Sequence, residues 1–188
     1  MNCFSNDTLS LERKPKMGVA GNNPDEWKNS YYSTKEGQLY VDSSYIFGCL
    51  REASFYTKSG RGSIQAKFSA TMQVLDDKIL FNRYMPTDES EFLLRSSDDD
   101  VYLDVRSVRN PNTKGRNVRY RVAMSEGWET DFILQWDDTI VSSAQVHQVL
   151  IDAGSLIGLA DGRNIGFGRF EVVLYEDMGN VHAKKSAS

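Results

Sequence analysis

The sequence predicts an α+β domain in which two amphipathic helices cover one face of an antiparallel sheet. Two segments repeat their apolar residues at helical spacing and open on capping residues. Several others alternate apolar and polar residues with the period of two that a half-buried strand requires. The order along the chain is strand, helix, several strands, helix, strand. Helices and sheet each have one face to bury, and packing those faces together satisfies both. A length of 188 residues suits a single domain spanning 1–188, and an apolar content of 40% is enough for its core.

The charge narrows the choice of partner. Twenty-two Lys and Arg against 26 Asp and Glu give a formal net charge of −4, which excludes a wholly basic coat for nucleic acid and leaves room for a local basic stripe. Two cysteines, Cys3 and Cys49, are too few for a disulfide framework, so a reducing compartment is expected. No apolar run approaches the roughly 20 residues of a membrane helix, and no apolar signal segment opens the chain, so a cytoplasmic location without a membrane is expected.

The elements follow in order. Leu9 and Leu11 alternate with Ser10 and Glu12 as a short strand. Gly18 to Pro24 has loop chemistry and runs into Asp25-Glu26-Trp27-Lys28; a loop of this length is either functional or a plain connector. After the extended Leu39-Tyr40-Val41, the capping residues Asp42, Ser43 and Ser44 precede Ile46, Cys49, Leu50 and Ala53, which predicts a helix over 44–56 stopped by Gly60 and Gly62. Cys49 lies on the apolar stripe as a buried structural thiol. Ser69–Leu75 and Lys78–Phe81 read as two short strands around Asp76-Asp77, and Ser96–Asp100 as a solvated acidic turn.

Residues 101–124 read as a hairpin turning through Asn110–Gly115. Its second arm places Arg119 and Arg121 on one face, opposite Val118, Tyr120 and Val122, as either the solvated side of a sheet or a basic patch. Glu129–Trp136 reads as a strand with Phe132, Leu134 and Trp136 on one face. Ser142 and Gln145 have capping-box spacing, and Val146, Val149, Leu150, Ala153, Leu156, Ile157 and Ala160 continue as a helical stripe bordered by His147, read as structural. A glycine-rich turn, a last strand over Arg169–Tyr175 and a polar tail over 177–188, expected to fray, complete the chain. The simplest arrangement of these elements is a ferredoxin-like or RRM-like antiparallel sheet with two packed helices and an inserted β-hairpin region.

No phosphate-loop or zinc spacing occurs, and no nucleophile–histidine–acid set can be read, so no cofactor, no metal and no enzymatic activity are expected. The turn Gly162-Arg163-Asn164-Ile165-Gly166-Phe167-Gly168 leaves two readings open. It is either a corner that needs glycine, or a concavity whose N–H groups, with Arg163 and Arg169, hold phosphate.

Tyr40-Val41-Asp42-Ser43-Ser44-Tyr45-Ile46-Phe47-Gly48-Cys49-Leu50-Arg51 resembles the I-P-G-S-S-L-K-G-x-L-R signature of the CRISPR-associated RAMP superfamily, with Val41 and Asp42 in place of its proline and glycine. Asp161–Phe170 is similar to that family's C-terminal glycine-rich loop, and Gly18–Asp25 to the segment upstream of the signature in its backbone-forming members. The resemblance implies a ferredoxin/RRM-like subunit that binds single-stranded nucleic acid by its backbone, with RNA preferred over DNA. It would act within a defence-related or phage-borne ribonucleoprotein, beside copies of itself or other subunits. The implied contacts are Gly162, Arg163, Asn164, Gly166, Gly168 and Arg169 of the turn and Ser43, Ser44, Arg51, Lys58 and Arg61 around the first helix, with Arg119 and Arg121 as a second patch. Two alternatives stand beside it. One is a protein-interaction module or inhibitor on the same scaffold, which the acidic charge favours. The other is a metal-dependent ribonuclease using Asp25.

Overall fold

The computed structural model describes residues 23–109 and 114–179. The expected strand at Leu9–Glu12, the loop from Gly18, the hairpin turn at Asn110–Thr113 and the end of the tail lie outside those residues. In chain order the first elements are β1 (Tyr32–Ser33), β2 (Gln38–Asp42), α1 (Ser43–Ala53), β3 (Lys58–Ser59), β4 (Gly62–Ser63), α2 (Gln65–Thr71) and β5 (Gln73–Val74). They are followed by β6 (Lys78–Tyr84), α3 (Glu89–Phe92), β7 (Val101–Arg109), β8 (Arg116–Met124), β9 (Leu134–Gln135) and α4 (Ser143–Asp152). The protein is thus α+β, with small antiparallel sheets. It divides into two compact units, one joining the segment that ends at Tyr31 to Asp88–Glu126, the other joining Tyr32–Thr87 to the segment from Gly127.

In the larger unit β2 lies between β1 and β6, with Tyr32 opposite Tyr40, and Tyr40 opposite Leu80. The strand passes straight into α1 at Asp42, whose carboxylate accepts the Ser44 N–H at 2.8 Å. That cap satisfies one of the donors a helix start leaves unpaired. The predicted stripe Ile46, Cys49, Leu50 and Ala53 is buried. The capping box of α4 forms as well: the Gln145 N–H donates to Ser142 Oγ at 3.3 Å, and the Ser142 N–H donates to Gln145 Oε1 at 3.1 Å. Its Val146, Val149 and Leu150 join a core with Phe68, Ile79, Phe81 and Val141. Each such side chain contributes about 1.5–3 kcal/mol by leaving water.

Four expectations need correction here. Ser69–Leu75 is not one strand: α2 runs to Thr71 and only Gln73–Val74 pairs. Ile64, Phe68 and Met72 are all buried, and their spacing of four is that of a helix. The strand expected over Glu129–Trp136 reduces to a bridge between Thr130 and Phe81 and to β9, which pairs with β5. Its alternation persists, with Phe132, Leu134 and Trp136 half-buried, but Asp76 takes the Ile133 N–H at 2.6 Å and interrupts the ladder between the two pairings. The second helix leaves α geometry after Asp152, makes a π turn over Ala153–Ile157 and stops at Gly158, whose N–H donates to the Ala153 carbonyl at 2.7 Å.

The fourth correction concerns Arg169–Tyr175, which pairs with no described strand. It runs back along α4 instead. The Phe170 N–H donates to the Gly154 carbonyl at 3.4 Å, and Tyr175 stacks on His147 with centroids 4.7 Å apart while its hydroxyl lies 2.9 Å from Ser143 Oγ. A side chain at Gly154 would put its Cβ 2.0 Å from the Phe170 carbonyl oxygen, so glycine there is what lets the chain lie on the helix. Val173 and Leu174 are left 91% and 72% exposed.

The smaller unit is built on the hairpin of β7 and β8, paired without interruption from Val101–Met124 to Arg109–Arg116. A 3-10 helix over Pro24–Asn29 and α3 bring Trp27 and Phe92 together, buried with ring centroids 4.8 Å apart. The stretch after the long loop is therefore packed structure. Arg119 and Arg121 are half-buried, and Arg119 is ion-paired with Glu26, so this is not the fully solvated face that the alternation allowed.

Candidate nucleic-acid interface

A cleft of about 580 Å³ opens between α1 and the glycine turn. One wall is the solvent side of α1, where Ser44, Gly48, Arg51 and Glu52 recur at one-turn spacing beside Tyr45. Gln65 of α2, Gly158, Ala160 and Arg163 complete it. The helix start and the glycine turn, more than a hundred positions apart in sequence, thus face each other across one cleft. Cys49 ties the two walls: its Sγ is 3.2 Å from the Gly158 carbonyl oxygen. Burial pushes this thiol up to about 11, against the opposing pull of Arg163, so at neutral pH it is a protonated packing group.

The turn folds on itself. A Cβ at Gly168 would stand 1.9 Å from the Leu159 carbonyl oxygen, and the Leu159 N–H donates to Gly168 at 2.8 Å. Gly162 and Gly166, both at positive φ, bracket a 3-10 turn over Arg163–Ile165. Its donors are largely consumed within it: Ile165 and Phe167 donate to the Gly162 carbonyl, Gly166 to that of Arg163, and Gly162 to the Asp161 carboxylate. The corner therefore requires its glycines, and what it offers a ligand is chiefly side chains. Arg163 reaches across to Glu52 at 2.8 Å, and Arg169 is exposed where the turn ends. Ala160 holds φ +62 at the cleft wall, a left-handed geometry that costs a residue bearing a Cβ roughly 1–2 kcal/mol.

Of the residues singled out by sequence, Ser44, Arg51 and Arg163 line the cleft. Ser43 is half-buried at the helix start, its N–H turned to the Asp77 carbonyl at 3.3 Å, and Asn164 is exposed on the outside of the turn. Lys58 and Arg61 are exposed on the β3–β4 hairpin, away from the lining. Arg119, Arg121 and Asp25 belong to the other unit. There the Asp25 carboxylate lies 3.3 Å from Lys28 Nζ, and Lys28 is held above its usual range first by Glu89. Among the described residues no three His, Cys, Asp or Glu side chains come together to hold a metal.

Sequence reasoning passed over Tyr45, Gly48, Glu52, Gln65 and Ala160 as lining residues. Tyr45 and Gly48 sit inside the signature itself, so their helical spacing from Ser44 and Arg51 was the available signal. Gln65 carries no such signal; it reaches the site because its amide donates to the Arg51 carbonyl at 2.9 Å. Tyr45 is half-exposed, and partial burial, then Tyr32, holds its hydroxyl above the usual range. No helix among the described residues is long and apolar enough to cross a membrane. No protein-family model and no curated protein matches the chain.

Proposed function

We propose that the protein binds single-stranded nucleic acid, RNA in preference to DNA, as a non-catalytic RAMP-like subunit of a defence-related or phage-borne ribonucleoprotein. The observation that carries this reading is the cleft in which the Ser44–Arg51 helix face meets the turn bearing Arg163. These are the two segments on which the resemblance rests. Antiparallel pairing of β2, which leads into α1, with β6 fits the all-antiparallel sheet of a ferredoxin-like plan, with the β7–β8 hairpin as its insertion. Arg51 and Arg169 present guanidinium groups to phosphate oxygens, which such groups grip with paired, charge-assisted hydrogen bonds. Arg163 joins them when its pair with Glu52 opens. That pair is exposed on both sides, so opening it costs little, about 0–1 kcal/mol.

Filter binding to single-stranded RNA tests the reading through two opposed substitutions. Arg163→Ala weakens binding and lowers the salt slope by roughly one phosphate contact. Glu52→Gln releases Arg163 and strengthens binding. If the parent shows no salt-sensitive binding, or if both variants bind as the parent does, the reading fails. A protein-interaction module is the second reading, favoured by the net charge of −4 and by exposed Val173 and Leu174. Its assemblies would keep their size after nuclease treatment, whereas a ribonucleoprotein would lose it.

A further inference from the structure

The strict alternation of β6 buries Ile79, Phe81 and Arg83 and turns Lys78, Leu80, Asn82 and Tyr84 to the other side of the sheet. The register then lines up Tyr32, Tyr40 and Leu80 across β1, β2 and β6 on that outer face. Tyr32 and Tyr40 are stacked, with centroids 5.6 Å apart and planes 26° apart, and the Lys78 ammonium sits 4.9 Å from the centre of the Tyr40 ring. Tyr40 is thus a backing ring, held between Tyr32 and a cation. Tyr32 and Tyr84 are 53% and 55% exposed. Large aromatic rings left this open on a sheet face offer flat surfaces on which another ring can stack.

We infer that this outer face stacks unpaired nucleobases of a single strand, with Tyr32 and Tyr84 as the stacking rings and Lys78 as a phosphate partner. The inference rests on reading the cleft as a nucleic-acid interface and extends the path of the strand beyond it. An open ring face, tolerant of any base, and a cation beside it are the two requirements of single-strand binding. The face does not form one apolar patch, since Asn82 lies between Leu80 and Tyr84 along β6 and Gln38 stands opposite Tyr84, which disfavours a protein partner. It adjoins the helix that walls the cleft, because β2, which carries Tyr40, runs straight into α1 at Asp42.

The test titrates the full chain with a labelled homopolymeric RNA and with an abasic strand of the same length. The parent prefers the base-bearing strand. Tyr32→Ala and Tyr84→Ala each weaken binding to it by about 5- to 100-fold, while the abasic strand binds parent and variants alike. Tyr32→Phe, which keeps the ring, stays within about twofold of the parent, and all variants remain folded, with melting temperatures within about 5 °C of the parent's, since Tyr32→Ala loses only its stack on Tyr40. If both alanine variants bind the base-bearing strand as the parent does, or if the parent does not distinguish the two strands, the stacking face is overturned while an arginine-dependent cleft still stands. If the parent binds neither strand, the cleft reading falls and this inference with it. A protein captured through Tyr32 and Tyr84, with no preference for base-bearing RNA, also overturns it.

Discussion

A glycine inside a helix costs about 0.5–1 kcal/mol relative to alanine, so one that stands where alanine would fit needs a reason outside the fold. Gly168 has its reason in the corner, where a Cβ would collide with the Leu159 carbonyl. Gly48 has none of that kind: a Cβ there meets nothing within 4 Å, and its φ is an ordinary helical one. It lies on the cleft wall one turn from Ser44 and from Arg51, where a bare backbone would give the proposed strand room to approach. Gly48→Ala is therefore expected to raise the unfolding free energy by about 0.5–1 kcal/mol while weakening RNA binding. Urea unfolding and a binding titration on the same preparation check the two halves. A variant both more stable and equally tight would leave Gly48 without a ligand to make room for.

At the scale of elements, what was legible in the sequence is what is decided locally. The starts of α1 and α4 follow from Asp42 and from the Ser142–Gln145 box, and the β7–β8 hairpin from alternation either side of one turn. The α2 helix was hidden because Ile64, Phe68 and Met72 show a spacing of four over barely two turns, inside a stretch that also alternates. The Arg169–Tyr175 segment was misjudged for a different reason: alternation gives a strand its faces and says nothing of its partner, and here α4 accepts the segment through Gly154. Within the site, Ser44, Arg51 and Arg163 were legible through the two motifs, whereas Gln65 and Glu52 joined them only once the chain was folded. The segment yields a direct test. Val173→Asp in a core strand would cost several kcal/mol, but at 91% exposure it is expected to change stability by less than about 0.5 kcal/mol. Thermal unfolding of that variant decides it; a large loss would mean that the segment pairs with a sheet in solution.

Across the whole molecule, a net charge of −4 repels a phosphate chain, so any attraction must come from a local group of cations. Distant acidic residues oppose that group weakly, because beyond about 8–10 Å they are screened at physiological salt. If Arg51, Arg163 and Arg169 each meet one phosphate, as proposed, three contacts at about −0.7 each for a single strand give a slope near −2. Raising salt from about 50 to 200 mM is then expected to weaken binding by only about 20-fold, against the thousandfold and greater losses of proteins that make 6–10 contacts. A slope near zero would remove phosphate contact altogether. A much steeper slope would recruit Lys58 and Arg61 on the β3–β4 hairpin, which stand exposed outside the cleft lining. Their replacement by alanine would then return the slope to about −2.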